Sequence, residues 1–166
     1  MKIAITGTPG AGKTTLAAAL SKHWPDFPVI SSGDIARRVD PKALKEGGMA
    51  EESLLRRALV DELARPSFIL DGFPRTEGQY RMLPRGVTIV QLWVHPTIAK
   101  ARLLERRRAD DTWEIIERRV TEQDALMIGW LPVVAHVKVA TDLLNPDEVF
   151  ELVRSQLVGK AVTATT

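Results

Sequence analysis

Gly7-Thr8-Pro9-Gly10-Ala11-Gly12-Lys13-Thr14 is the stretch on which the reading of this chain turns. It fits the pattern G-x-x-x-x-G-K-[ST] and lies between an apolar β-branched run, residues 2–6, and a helical pattern, residues 13–23. Glycines let the backbone curl so that successive N–H groups point inward at a polyphosphate. The helix that follows adds unpaired amides and the positive end of its dipole. Lys13 can reach the β- and γ-phosphates of a triphosphate, and the Thr14 hydroxyl can ligate Mg2+. Gly7, Pro9, Gly10, Ala11, Gly12, Lys13, Thr14 and Thr15 are therefore expected to hold the phosphates of ATP. Loops of this kind serve ATPases, GTPases and kinases alike, so the reaction stays open at this point.

Outward from the loop, short β-branched runs alternate with longer helical patterns, the signature of a parallel sheet with crossover helices. The expected strands are 2–6, 28–31, 67–70, 87–94 and 137–140, each nearly all apolar, as suits strands buried on both faces. Helices are expected over 13–23, 51–64, 97–107, 112–127 and 146–157. In the second of these, Leu55, Leu59 and Leu63 share one stripe. The helix from Thr112 has a readable start, with Asp111 as N-cap and Glu114 in a capping-box position; Ile116, Val120, Gln123 and Met127 follow at helical spacing. The pattern gives a three-layer α/β/α sandwich around a five-stranded parallel sheet, with ligands at the carboxyl ends of the strands. One domain over 1–158 and a frayed tail over 159–166 are expected. Two insertions break the alternation, at about 34–64 and 106–111.

The bulk numbers fit this architecture and remove other classes. The chain of 166 residues is 45% apolar and 27% charged, ordinary for one globular domain. A formal charge of +2 gives no reason to expect nucleic acid or a membrane surface as the main partner. With no cysteine, disulfides and thiolate metal sites are excluded, in keeping with a cytoplasmic setting. The longest uninterrupted apolar stretch, 125–135, contains Gly129 and Pro132 and is shorter than the ~20 residues a membrane helix needs. A monomer is expected.

Two further motifs narrow the reaction. Asp71 closes an apolar strand in Ile69-Leu70-Asp71-Gly72 and suits the second carboxylate of a phosphate-loop site, which holds Mg2+ directly or through water. Its continuation, Asp71-Gly72-Phe73-Pro74-Arg75-Thr76, taken with Ile30-Ser31-Ser32-Gly33-Asp34-Ile35-Ala36-Arg37, resembles the adenylate kinase family of P-loop nucleoside monophosphate kinases. The resemblance covers roughly residues 1–119. It implies that Ser32, Gly33, Arg37, Gly72, Arg75 and Gln79 bind the acceptor nucleotide, with Arg37 and Arg75 clamping its phosphate and Gln79 hydrogen-bonding its base. Arginine suits the clamp, because its planar fork matches phosphate oxygens in a bidentate way.

Residues 100–119 hold seven basic side chains against five acidic ones. A charge run of this kind can be a solvated face or touch RNA. By the resemblance it is the lid with its flanking helices. Arg106, Arg108 and Arg119 then approach the transferring phosphoryl, Arg102 packs against the donor adenine, and Asp110 and Asp111 match a paired-carboxylate element. Arg107 and Arg118 have no matching role and are expected in solvent. Lys13, Arg75, Arg106, Arg108 and Arg119 are the expected catalytic set. No general base is required, since the attacking phosphate oxygen is already largely ionised; His23, His95 and His136 are expected to be structural, and Trp93 and Trp130 to belong to the core.

The sequence also departs from the family. Arg107 alone separates Arg106 from Arg108, residues 39–49 follow the pattern poorly, Ser32 replaces a threonine, and Thr14-Thr15 stands where Gly-Thr is usual. The implied activity is ATP + AMP ⇌ 2 ADP with Mg2+. Transfer to CMP, UMP or a deoxynucleotide stays open, as does a nucleotide-binding regulatory ATPase.

Overall fold

The computed structural model describes residues 1–46, 48–106, 112–127 and 129–163. Five strands, β1 (Lys2–Gly7), β2 (Val29–Ser31), β3 (Phe68–Asp71), β4 (Val87–Trp93) and β5 (Val137–Ala140), form one parallel sheet in the order β2-β3-β1-β4-β5. All five expected strands are present, within a residue or so at each end. The longer helices follow the expected patterns too: α1 (Lys13–His23), α4 (Glu52–Ala64), α6 (Pro96–Arg106), α7 (Trp113–Met127) and α9 (Pro146–Thr163). Four short helices, α2 (Ser32–Val39), α3 (Pro41–Lys45), α5 (Glu77–Tyr80) and α8 (Leu131–Val134), were not read from the sequence.

The layers follow from the period-2 alternation of the strands. Ile3 and Ile5 of β1, Ile69 of β3, and Val90 and Leu92 of β4 turn to one face, where α1, α6, α7 and α9 cover them with Leu16, Leu20, Leu103, Ile116, Val120, Val153 and Leu157. Ala4, Phe68 and Leu70 turn to the other face, onto Ile35 of α2 and the Leu55–Leu59–Leu63 stripe of α4. Under the far end of that face, Met127 and Leu131 pack on Ile89. Both faces are covered, so the strands read as continuous apolar runs.

Some expectations change. Trp93 is 39% exposed rather than core, because it is the last residue of β4; its ring meets His95 in an edge-on arrangement. Trp130 is partly buried against Tyr80, as expected. At the start of α7 the Thr112 hydroxyl accepts from the Ile115 N–H (3.4 Å), so Thr112 fills the cap position. Asp111 lies outside the described residues, as does the Gln123 side chain. The last helix runs to Thr163, past the point where the tail was expected to begin. The histidines have structural partners. His136 Nδ1 accepts from Ile89 N–H (3.0 Å), His95 Nδ1 from Thr97 N–H (3.3 Å), and the His23 ring packs edge-on against Trp24 and Phe150. Among the described residues no helix is long and apolar enough to cross a membrane.

Candidate active site

The sheet order brings the first two motifs together. In the β1–β3 register Ile5 pairs with Asp71, so the end of β3 emerges beside the loop that leaves β1. That loop needs glycine at its start. Gly7 has φ +125°, and a Cβ there would lie 2.7 Å from the Leu92 carbonyl carbon of the neighbouring strand. Gly12 caps α1 with no side-chain hydrogen bond, which leaves the first-turn amides for a ligand or water. Thr14 Oγ donates to Asp71 Oδ2 at 2.7 Å. The two oxygens expected to serve one cation are therefore adjacent.

Lys13 Nζ donates to the carbonyls of Gly7 (2.9 Å) and Thr8 (2.7 Å), folded back over its own loop. Burial, and then the nearby Arg75, lower its pKa from 10.5 to about 7; Asp71 opposes the shift and Arg106 adds to it. Arg75 is likewise pushed below its ordinary value, first by burial, with Asp71 opposing and Arg119 and Arg37 contributing. The cations of four separate stretches thus share one electrostatic neighbourhood.

They also share one cleft of about 640 Å³. Residues 9–16 line it together with Ser32, Gly33, Arg37, Gly72, Phe73, Arg75 and Gln79, and Arg102, Arg106 and Arg119 complete the wall. Arg108, with the rest of 107–111, lies outside the described residues. Among the lining residues, Ser32 Oγ donates to the Asp71 carbonyl (2.8 Å), joining the ends of β2 and β3. The buried Gln79 accepts from the Arg75 N–H through Oε1 (2.8 Å), and Arg75 Nε donates to the Gly72 carbonyl (3.0 Å). Gly72 has φ +80°, and a Cβ there would approach Ser32 Oγ to 3.1 Å and the Arg75 guanidinium to 3.3 Å. Arg37 pairs with Asp34 one turn earlier, at the cleft edge.

Arg102 is fastened between the phosphate loop and the segment after β5. Its guanidinium donates to the Thr141 carbonyl (2.8 Å) and hydroxyl (3.1 Å) and to the Gly10 carbonyl (3.4 Å). Thr141, Leu144, Pro146 and Val149 form this part of the wall, and sequence reasoning missed them. Their signal is position alone: they follow the last strand at its carboxyl end. Arg118 is solvent-exposed, as expected. It pairs with Glu122 (2.8 Å) and donates to the Glu46 carbonyl (2.8 Å), which joins α7 to the end of α3.

Residues 6–117 match the family described as AAA domain. Adenylate kinase 1 of Nostoc sp. (strain PCC 7120) is 34% identical over 72% of this chain and 76% of its own. The adenylate kinase of Thermus thermophilus is 31% identical over 91% of this chain and 94% of its own. The chain belongs to the adenylate kinase family. Another adenylate kinase, from Mycobacterium leprae, is 34% identical over 90% of this chain and 95% of its own. A gluconokinase from Sinorhizobium meliloti 1021 superposes with a TM-score of 0.73 over 99% of this chain at 17% identity, which shows the shared fold. As a member of the adenylate kinase family with an intact phosphate loop, the chain is an ATP-dependent phosphotransferase.

Proposed function

We propose that this enzyme transfers the γ-phosphoryl group of Mg-ATP to AMP, giving two ADP. The observation that carries the reading is the continuity of the cleft: the phosphate loop and the Ser32–Gly72–Arg75–Gln79 cluster line one cavity, together with Arg37, Arg102, Arg106 and Arg119. In this reading residues 7–15 hold the donor phosphates and Arg102 borders the donor base. Arg37 and Arg75 clamp the acceptor phosphate. Lys13, Arg106, Arg108 and Arg119 offset charge on the equatorial oxygens during transfer, where positioning and electrostatics supply most of the rate. The Thr14 hydroxyl and Asp71 carboxylate are hard oxygen donors and suit Mg2+, which keeps waters and phosphate oxygens as its other ligands. When bound, the ion supplies part of the charge neutralisation at the β- and γ-phosphates.

The polar groups at the acceptor end favour an amino-bearing base. Ser32 gives its proton to the Asp71 carbonyl, which leaves its oxygen as an acceptor. Gln79 has its oxygen on the Arg75 N–H, which leaves the NH2 end as donor. Adenine and cytosine carry an amino donor beside a ring-nitrogen acceptor; guanine and uracil carry a carbonyl and a ring N–H there. The relatives' names favour adenine of the two.

A coupled assay across AMP, CMP, UMP, GMP and their deoxy forms, with gluconate as a non-nucleotide control, tests this. AMP should give the highest kcat/KM, with CMP ahead of UMP and GMP. A preference for UMP or GMP would overturn the base assignment, and absence of turnover with every monophosphate would overturn the reading altogether. Arg75→Ala should raise the acceptor KM far more than the ATP KM; collapse of ATP affinity with an unchanged acceptor KM would refute the clamp.

A further inference from the structure

Glu52, at the start of α4, lies outside every motif of the phosphate and acceptor sites. Its carboxylate nevertheless accepts a hydrogen bond from the Thr76 hydroxyl, 24 residues away. The same hydroxyl accepts from Gln79 N–H (3.1 Å) and so caps α5. Gln79 in turn holds the Arg75 N–H (2.8 Å), and Arg75 Nε holds the Gly72 carbonyl (3.0 Å). A single file of hydrogen bonds therefore runs from α4 to the two side chains that face the acceptor. A second observation is steric. A Cβ at Gly78 would lie 2.8 Å from the Glu52 carboxyl carbon and closer still to its oxygen. Gly78 has no positive φ that would call for glycine, so the space for Glu52 is what its missing side chain provides.

We propose that Glu52 is a positioning residue: seated in the gap left by Gly78, it ties α4 to the Thr76 loop and thereby sets the placement of Arg75 and Gln79 for the acceptor. Leu55, one turn further along α4, lines the same cleft, so the tie joins one wall of the acceptor end to its polar contacts. The role rests on the acceptor reading above. A purely structural Glu52, acting only as a negative charge at a helix start, would change stability and leave the two Michaelis constants in their wild-type ratio.

The test compares Glu52→Ala, Glu52→Gln, Gly78→Ala and the double variant Gly78→Ala/Glu52→Ala, with KM measured separately for ATP and for AMP. Glu52→Ala should raise the AMP KM about tenfold, the scale of a hydrogen bond to a charged group, and leave the ATP KM within about twofold. Glu52→Gln keeps an oxygen for Thr76 and should recover most of the loss. Gly78→Ala should reproduce the Glu52→Ala defect by displacing the carboxylate, and the double variant should be no worse than either single one. Equal rises in both Michaelis constants, an unchanged AMP KM, or additive defects would each overturn the proposal. Amide hydrogen exchange separates its failure from that of the acceptor reading. If the wild type phosphorylates no monophosphate, the acceptor reading falls, and the tie is then judged on exchange alone. Faster exchange at Gln79 and Arg75 in Glu52→Ala supports the tie, and unchanged exchange overturns it.

Discussion

Lys13 is the residue whose chemistry the fold alters most. With its pKa brought down from 10.5 to about 7, it is largely neutral in the empty enzyme at pH 8, and a polyphosphate beside it favours the ammonium form. Nucleotide binding should therefore take up a proton above pH 7, and triphosphate affinity should fall as pH rises from there, by up to about tenfold per unit. Titration calorimetry in buffers of different ionisation enthalpy reads that uptake, and a pH-independent affinity with no uptake would contradict it. The stability linkage runs the other way. Between about pH 7 and 10.5 the unfolded chain binds more protons at this group than the folded one, so its contribution to stability rises with pH across that window. The rise should vanish in Lys13→Met, a comparison made by thermal melts of both proteins at stepped pH. Lys13→Met should also cut turnover by at least ~10²-fold, the scale of removing one charge contact in the transition state. Neither the burial that chiefly lowers this pKa nor the Arg75 charge that adds to it was legible in the sequence, because Arg75 is 62 positions away and only the sheet order brings it near. By contrast, the motifs identified Lys13 and Arg75 individually, since each stands at a fixed offset from glycines that the loop geometry demands.

At the scale of elements, the stripe on α4 is the part of the 34–64 insertion that anchors it to the sheet. Leu59 is fully buried between Leu55 and Leu63, while Val60, its neighbour in sequence, is 60% exposed. Leu59→Ala should cost about 2–5 kcal/mol, from lost transfer energy and the cavity left behind. Val60→Ala should stay within about 0.5 kcal/mol. Urea unfolding of the two variants checks the contrast, and equal midpoints would mean that α4 does not pack as described. The same stripe explains which elements were readable. Strands and long helices announced themselves because a period of 2 or 3.6 repeats often enough to be counted, and both faces of the sheet demand apolar residues. The helices α2, α3, α5 and α8 span eight residues or fewer, and their formation depends on caps such as Ser31 on Asp34 and Asp40 on Ala43 and on the surfaces beneath them. The part of the cleft wall beyond β5 was hidden for another reason. Thr141 and Leu144 serve through their place after β5 rather than through a chemical pattern, and Arg118 reveals its link to Glu46 only once α3 and α7 are side by side.

For the molecule as a whole, charge is distributed very unevenly. The formal net charge is +2, yet the cleft lining carries six basic side chains (Lys13, Arg37, Arg75, Arg102, Arg106 and Arg119) against Asp34 and Asp71. The remainder of the chain therefore holds more acid than base, and the positive potential is concentrated where the strands end. Low-dielectric walls focus such a field and raise the encounter rate of anionic ligands, whereas added salt screens it over a Debye length of about 8 Å at physiological ionic strength. Nucleotide association should accordingly slow by roughly tenfold or more as salt rises from about 0.02 to 0.5 M. Adenosine, which has the base but no phosphate, should associate at a nearly constant rate over the same range. Stopped-flow measurements with ATP, AMP and adenosine make the comparison directly. Were ATP and adenosine to respond alike, the cleft cations would have to be neutralised by their own neighbours before a ligand arrives. Lys13 would then owe its lowered pKa to burial alone, and the arginines would act only after contact, as clamps on a phosphate already in place.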